Sequence, residues 1–187
     1  MHQKVRSLKL DALTDFEARV ILVIGNENGN AIWEEGAVMQ KGWEKPTASS
    51  DRKAKEEWIK SKYSWKGFLK VSDDDGKTHD ERVEMSSMAM YEAAKAGDVL
   101  GIARALAQGA VVTWSNIDEG NKTALHICTQ LNTEGEEDSN AIECAELLMQ
   151  NGAKIDKRDG LEQGVLDSAV LNNVDRSMIE YLSTKVT

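Results

Sequence analysis

The sequence of 187 residues is poor in cysteine, proline and aromatic residues, and it has no long apolar run. Its two cysteines cannot form a disulfide framework, which favours a reducing compartment such as the cytosol. No apolar run approaches the roughly 20 residues that cross a bilayer, and the first residues contain no signal-peptide core. We therefore expect a cytoplasmic protein without a transmembrane segment.

The motifs of common metal and nucleotide sites are also missing. The sequence has no CxxC pair and no Cys/His cluster, so we expect these residues to hold neither zinc nor another cofactor. The glycine-rich segment that begins at Gly25 matches neither a dinucleotide fingerprint nor a P-loop. It is typical of a helix end followed by a turn.

Basic residues are fewer than acidic ones. The chain has 23 Lys and Arg against 32 Asp and Glu, a net charge of −9, which argues against nucleic acid as a partner. The two signs are unevenly distributed, because residues 1–70 carry 13 basic and 10 acidic residues whereas residues 71–187 carry 10 and 22. Such a change of sign suggests two units with different partners.

Apolar residues recur at helical spacing in residues 1–69. Thr14 and Glu17 form a capping-box pair before the first apolar stripe. Residues 70–86 have almost no apolar residues, and their repelling carboxylates predict an extended acidic linker. Helices are predicted near residues 14–25, 28–36 and 50–66.

A repeat after the linker indicates a stack of helix pairs. Gly109-Ala110 recurs as Gly152-Ala153, 43 positions later, and each pair closes a helical stretch. Between them, Thr123-Ala124-Leu125-His126-Ile127-Cys128 resembles the ankyrin signature Thr-Pro-Leu-His-x-Ala. The spacing exceeds the ankyrin period of about 33 mainly at residues 132–140. This acidic stretch is predicted to be a mobile, exposed loop that attracts basic surfaces.

The ankyrin resemblance implies structural roles for the residues that carry it. Thr123 is expected to cap a helix, Leu125 to pack on the next repeat, and His126 to hydrogen-bond neighbouring loop backbone rather than a metal. Gly109 and Gly152 are expected to adopt turn conformations that side chains resist. Cys128 and Cys144 are expected to be small buried side chains. Within an ankyrin region at 87–187, the repeats are predicted at about 87–113, 118–156 and 159–187.

Three motifs in residues 1–69 resemble the domain of Arf GTPase-activating proteins (Arf GAPs). Lys4-Val5-Arg6-Ser7-Leu8-Lys9-Leu10-Asp11 is similar to the family's Val-Arg-Ser-Leu-x-Leu-Asp segment. Gly25-Asn26 with Asn30-Ala31-Ile32-Trp33-Glu34 is similar to its Gly-Asn…Asn-x-x-(Tyr/Trp)-Glu stretch. Lys45-Pro46 with Lys55-Glu56-Glu57-Trp58-Ile59-Lys60-Ser61-Lys62-Tyr63 resembles its closing helix. The order of the motifs resembles Arf GAPs that combine coiled-coil, PH and ankyrin modules.

This resemblance implies a mainly α fold. The helical part of an Arf GAP zinc-finger domain would occupy residues 1–69, and an α-solenoid of about three ankyrin repeats would follow. It also implies GTPase activation of an Arf-family partner in vesicle trafficking, and an unknown protein ligand for the ankyrin surface. Association with endosomal or plasma membranes would come through other modules of the parent protein.

The family's zinc-binding cysteines and its catalytic arginine, in a Gly-x-His-Arg-x-Leu-Gly turn, are expected upstream of residue 1. We therefore assign no catalytic residue, and we predict that the chain alone is inactive. By resemblance, Arg6 is an interface or structural arginine rather than the arginine finger, and Leu10 and Asp11 face the GTPase. The alternative places Leu10 in the helical core and Asp11 at a helix cap.

Two further expectations follow from an absent zinc-bound part. That part would cover the apolar stripe of residues 1–69, so we expect at least one aromatic residue of the stripe to be exposed. The candidates are Phe16, Trp33, Trp58 and Trp65. Residues 5–10 are expected to form a short strand or to be irregular.

A different class of function is also open: a complete, non-catalytic adaptor that binds proteins through its ankyrin repeats.

Overall fold

The computed structural model describes residues 12–36, 44–70, 76–131 and 140–186, which are mainly helical as predicted. They form two compact units. The larger unit consists of the described parts of residues 1–24 and 78–187, and the smaller unit of those of residues 25–77. The elements are α1 (Asp15–Trp33), α2 (Arg52–Ile59) with a π-helical turn (Lys60–Ser64), α3 (His79–Lys95), α4 (Val99–Gln108), β1 (Ser115–Asn116), β2 (Lys122–Thr123), α5 (Ala124–Cys128), α6 (Ala141–Gln150), α7 (Val165–Leu171) and α8 (Arg176–Ser183).

Helix α1 consists of two helical segments that are separated at Gly25. This glycine has φ 53° and ψ 179°, a conformation that residues with a Cβ rarely adopt. The segment before it belongs to the larger unit and the segment after it to the smaller one. The predicted break at Gly25 is confirmed, but the predicted turn is absent because helical structure resumes at once. The predicted capping box is confirmed too, since the Thr14 amide donates to Glu17 at 2.9 Å and the Glu17 amide to Thr14 Oγ1 at 3.2 Å.

In the smaller unit, α2 and the residues after it pack around two aromatic rings. Asp51 caps α2 by accepting a hydrogen bond of 2.7 Å from the Ala54 amide. The centroids of the Trp58 and Phe68 rings lie 4.4 Å apart, and both residues are buried. The amide of Gly36 donates to the carbonyl of Phe68 at 2.7 Å, which ties the end of α1 to this core.

Helix α3 begins at His79, eight residues before the helical region expected from the sequence. Thr78 and Glu81 form a full capping box. The carboxylates of Asp80 and Glu81 in the first turn also stabilise the helix, because they interact with the positive end of its dipole. The assignment of residues 79–86 to an extended linker is therefore wrong. An exposed helix end needs few apolar residues, so composition alone did not distinguish it from a linker.

The larger unit is built on three successive helix pairs. Helix α3 packs on α4, α5 on α6 and α7 on α8. The first helices of the pairs contact one another in chain order, and so do the second helices. A short antiparallel ladder, in which Ser115 pairs with Thr123, lies before the second pair. Gly109 and Gly152, with φ of 104° and 100°, follow the second helices of the first two pairs.

The first segment of α1 packs against the last two helix pairs. The ring of Phe16 meets that of Tyr181 edge-on, with centroids 4.7 Å apart. Arg19 Nη1 lies 3.3 Å from Glu143 Oε1, and Val20 is buried. The compact units therefore differ from the segments 1–69 and 87–187. Those segments were assigned from the family resemblance, and they stay a prediction.

Candidate functional site

In the smaller unit, the motif residues converge on the carboxylate of Glu34. Lys62 Nζ lies 2.7 Å from Glu34 Oε1, and Lys45 Nζ lies 2.6 Å from Oε2. Lys62 also donates to Asn30 Oδ1 at 2.5 Å. Asn30 and Glu34 are one helical turn apart, whereas Lys62 comes from the π-helical turn after α2. We call Asn30, Glu34, Lys45 and Lys62 the Glu34 cluster.

The electrostatics of the Glu34 cluster suit a structural role. Burial alone would raise the pKa of Glu34, but the hydrogen bonds from Lys45 and Lys62 outweigh it and hold the pKa below its ordinary value. The Lys62 side chain is only 5% exposed, and a buried ammonium requires such partners. Because Glu34 is ionised and both its oxygens are engaged, the cluster positions helices rather than transferring protons.

Aromatic rings extend the contact between the same two segments. The rings of Trp33 and Tyr63 meet edge-on with centroids 5.3 Å apart, and Lys62 Nζ lies 5.0 Å from the Tyr63 centroid. Trp33 and Trp58 are buried, whereas Trp65 is 68% exposed. The expectation of an exposed aromatic residue in this region is thus confirmed for Trp65.

Arg6, Leu10 and Asp11, the candidates for contact with a GTPase, lie outside the described residues. Their roles stay predictions, and so does the strand or irregular structure expected for residues 5–10. The predicted acidic loop at 132–140 also lies outside the described residues, except for Asn140.

Thr123 and His126 form a buried capping box at the start of α5. The Thr123 amide donates to His126 Nδ1 at 3.3 Å, and the Thr123 hydroxyl lies 2.8 Å from the same nitrogen. Nδ1 is therefore an acceptor, which leaves Nε2 to donate to the Gln163 carbonyl at 3.4 Å. Burial lowers the pKa of His126 and outweighs the opposing hydrogen bond to Gln163. The imidazole is thus a neutral link to the next loop.

Leu125 and the two cysteines are part of the packed interior. Leu125 is fully buried, as are Cys128 and Cys144. Burial raises the pKa of both thiols, to about 12 for Cys144. The two sulfurs are consequently poor nucleophiles in the folded protein.

A second charged cluster, on α6, was not predicted from the sequence. Glu146 is buried and accepts hydrogen bonds from the Tyr181 hydroxyl at 2.7 Å and from Lys185 at 2.8 Å. Its pKa is low because hydrogen bonds from Lys185, Gln150 and Tyr181 outweigh the effect of burial, which acts to raise it. The signal in the sequence was a pair of carboxylates, Glu143 and Glu146, within an otherwise apolar helix.

Neither a metal centre nor a membrane span is found in the part of the chain that the structure describes. Its His, Cys, Asp and Glu side chains form no group of three or more that could hold a metal ion. Its helices are all too short or too polar to cross a bilayer.

Comparison with known proteins relates the first part of the chain to one family. Residues 1–72 match the family model described as a putative GTPase activating protein for Arf. The human protein named Arf-GAP with coiled-coil, ANK repeat and PH domain-containing protein 3 is 47% identical over 70 residues. These are 36% of this chain and 8% of the human protein, so the matched part is a small fraction of that relative. Residues 1–72 are thus similar to an Arf GAP domain, as their motifs indicated.

Proposed function

We propose that residues 1–72 form part of a GTPase-activating module and bind an Arf-family GTPase through Arg6, Leu10 and Asp11. The match of these residues to the Arf GAP family model carries the proposal. The Glu34 cluster supports it, because two of the motifs that resemble the family are in direct contact in the smaller unit.

We further propose that residues 1–187 supply scaffold and interface but not the catalytic arginine. The Gly-x-His-Arg turn and the CxxC pairs that the family uses do not occur in this sequence. Arg19 and Arg52, which follow the first motif, form ion pairs with Glu143 and Glu56. An arginine finger supplied in trans accelerates GTP hydrolysis roughly 10³–10⁵-fold, so its presence or absence is easily measured.

The test is single-turnover hydrolysis by an Arf protein loaded with GTP on lipid vesicles. The full chain should leave the intrinsic rate unchanged, whereas the Arf GAP domain of the human relative, as a positive control, should accelerate it. Acceleration by the chain that disappears in Arg6→Ala would show that this sequence supplies the arginine after all.

For the larger unit we propose an ankyrin-type block that binds a protein ligand. The ordered contacts of its helix pairs support this reading. Its loops expose two large apolar side chains, Ile117 at 79% and Leu161 at 74%. The amide of Gly160 donates to the carbonyl of Gly120 at 2.7 Å and joins the two loops that carry them. Exposed apolar residues on a braced loop pair suit protein binding.

This block also supports the alternative function, an adaptor that binds proteins and has no role in GTP hydrolysis. A proximity-labelling comparison separates the two. In an adaptor, Ile117→Asp with Leu161→Asp would remove the labelled partners, and Leu10→Ala with Asp11→Ala would remove none. In a GTPase-directed protein, the second pair of substitutions should remove an Arf protein from the labelled set.

A further inference from the structure

The end of α2 carries an exposed apolar and basic surface that the proposed function does not use. Trp65 is 68% exposed and Ile59 is 55% exposed, although large apolar side chains are normally covered. Lys60 and Lys66 are exposed beside them in the sequence. We call Ile59, Lys60, Trp65 and Lys66 the Trp65 patch.

The backbone holds the Trp65 patch in place. The amide of Trp65 donates to the carbonyl of Lys60 at 3.0 Å, so that these two residues close one π-helical turn. Just beyond it, the amide of Gly67 donates to the carbonyl of Ser61 at 2.9 Å. The next residue, Phe68, is fully buried against Trp58. The exposed side chains of the patch therefore stand on a packed base.

Charge is concentrated around the patch. Residues 52–70 carry seven Lys or Arg and two Glu, although the chain as a whole has a net charge of −9. Four of the seven basic residues have carboxylate partners, namely Arg52 with Glu56, Lys53 with Glu57, Lys62 with Glu34 and Lys70 with Glu35. Lys60 and Lys66 are the basic residues that are exposed next to Trp65. An exposed tryptophan among basic residues is complementary to a partner whose outer layer is negatively charged and whose interior, a few ångströms deeper, is apolar.

We propose that the Trp65 patch binds the surface of an anionic lipid bilayer. Tryptophan favours the boundary between headgroups and acyl chains, because its ring is apolar and its N–H needs a polar partner. Lysines attract anionic headgroups while their aliphatic stems follow the apolar surface. A single tryptophan with one isoleucine gives shallow, reversible binding that depends on a second anchor for full strength. A protein partner would instead bury these side chains in a fitted, water-free contact.

The experiment is sedimentation of the full chain with vesicles of phosphatidylcholine alone or mixed with phosphatidylserine, at low and high salt and without any GTPase. We expect binding only with phosphatidylserine, and its loss at high salt. Lys60→Glu should lower the partition coefficient at least about fivefold, the effect of roughly one lysine charge at such a surface. Trp65→Ala should also lower it at least about fivefold, because burial of a large apolar side chain contributes more than that factor. Leu171→Ala, at a 66% exposed site, and Lys157→Glu, both in the larger unit, should leave it unchanged.

A second readout locates the contact. Brominated acyl chains should quench part of the tryptophan fluorescence of the wild type, and this part should vanish in Trp65→Ala. Equal binding to both vesicle types, no binding to either, or an unchanged Trp65→Ala variant would overturn the proposal. Because no GTPase is present, none of these results depends on whether the chain binds Arf proteins.

Discussion

The ammonium group of Lys62 lies 2.7 Å from the carboxylate of Glu34, and both side chains are largely withdrawn from solvent. The two residues are 28 positions apart in the sequence. Glu34 and Lys62 belong to two different motifs that resemble the Arf GAP family. The ion pair therefore joins two segments whose contact in space could not be predicted from their order in the sequence. The stability of the smaller unit should depend on this contact.

Removing the charge of Lys62 should destabilise the smaller unit. Lys62→Met keeps the length of the side chain but leaves Glu34 with Lys45 as its remaining cationic partner, at a cost of about 2–4 kcal/mol in unfolding free energy. Urea unfolding followed by tryptophan fluorescence measures this effect. Arg52→Ala, which breaks a solvent-exposed pair with Glu56, is the matched control and should leave the midpoint nearly unchanged. Equal midpoints for the two variants would contradict the assignment.

Acid should weaken the smaller unit through Glu34. The pKa of this carboxyl is below its ordinary value of 4.5 in the folded chain, so the unfolded chain binds the proton more readily. The stabilisation is therefore complete above about pH 4.5 and is lost as the pH falls through the folded-state pKa. Urea midpoints between pH 7 and pH 3 should show a shallower acid decline in Glu34→Gln than in Glu56→Gln. Identical declines would show that protonation of Glu34 does not cause the loss of stability in acid.

Gly36 should tolerate no side chain. A Cβ at this position would lie 2.9 Å from the Leu69 carbonyl oxygen and 3.1 Å from that of Phe68, and both are backbone atoms that cannot simply rotate away. We expect Gly36→Ala to cost about 1–3 kcal/mol in the unfolding free energy of the smaller unit. Gly67→Ala, whose nearest contact is 3.5 Å from Ser61, should cost clearly less. A thermal melt of both variants decides between them, and a melting temperature for Gly36→Ala at or above that of Gly67→Ala would refute the close contact.

Phe16 should stabilise the larger unit through its contact with Tyr181. Removal of a partly buried ring with an edge-on partner costs about 1–3 kcal/mol. Cys128 and Cys144 report on this unit, because both thiols are buried and react with a thiol reagent only after it opens. Phe16→Ala should speed their modification by about fivefold or more, whereas Leu22→Ala, at an 80% exposed site, should not. Equal modification rates would mean that the first segment of α1 is not part of this unit.

The sequence predicted the local features of the fold well. Capping at Thr14 and the helix break at Gly25 depend on neighbouring residues, so their residue types are sufficient signals. Contacts between distant segments were not predicted. The buried carboxylates of Glu143 and Glu146 were not predicted, nor were Arg19 and Lys185 as their partners, because spacing along the chain does not fix distance in the fold. The interface candidates came from family resemblance alone.

The most direct test of the account is equilibrium binding of the full chain to an Arf-family GTPase loaded with a non-hydrolysable GTP analogue or with GDP. We predict preferential binding of the GTP-bound form, weakened by Leu10→Ala and by Asp11→Ala but not by Leu161→Ala in the larger unit. Circular dichroism should show that all variants fold. Equal affinity for both nucleotide states, or binding that Leu10→Ala and Asp11→Ala leave intact, would contradict the role proposed for residues 1–72.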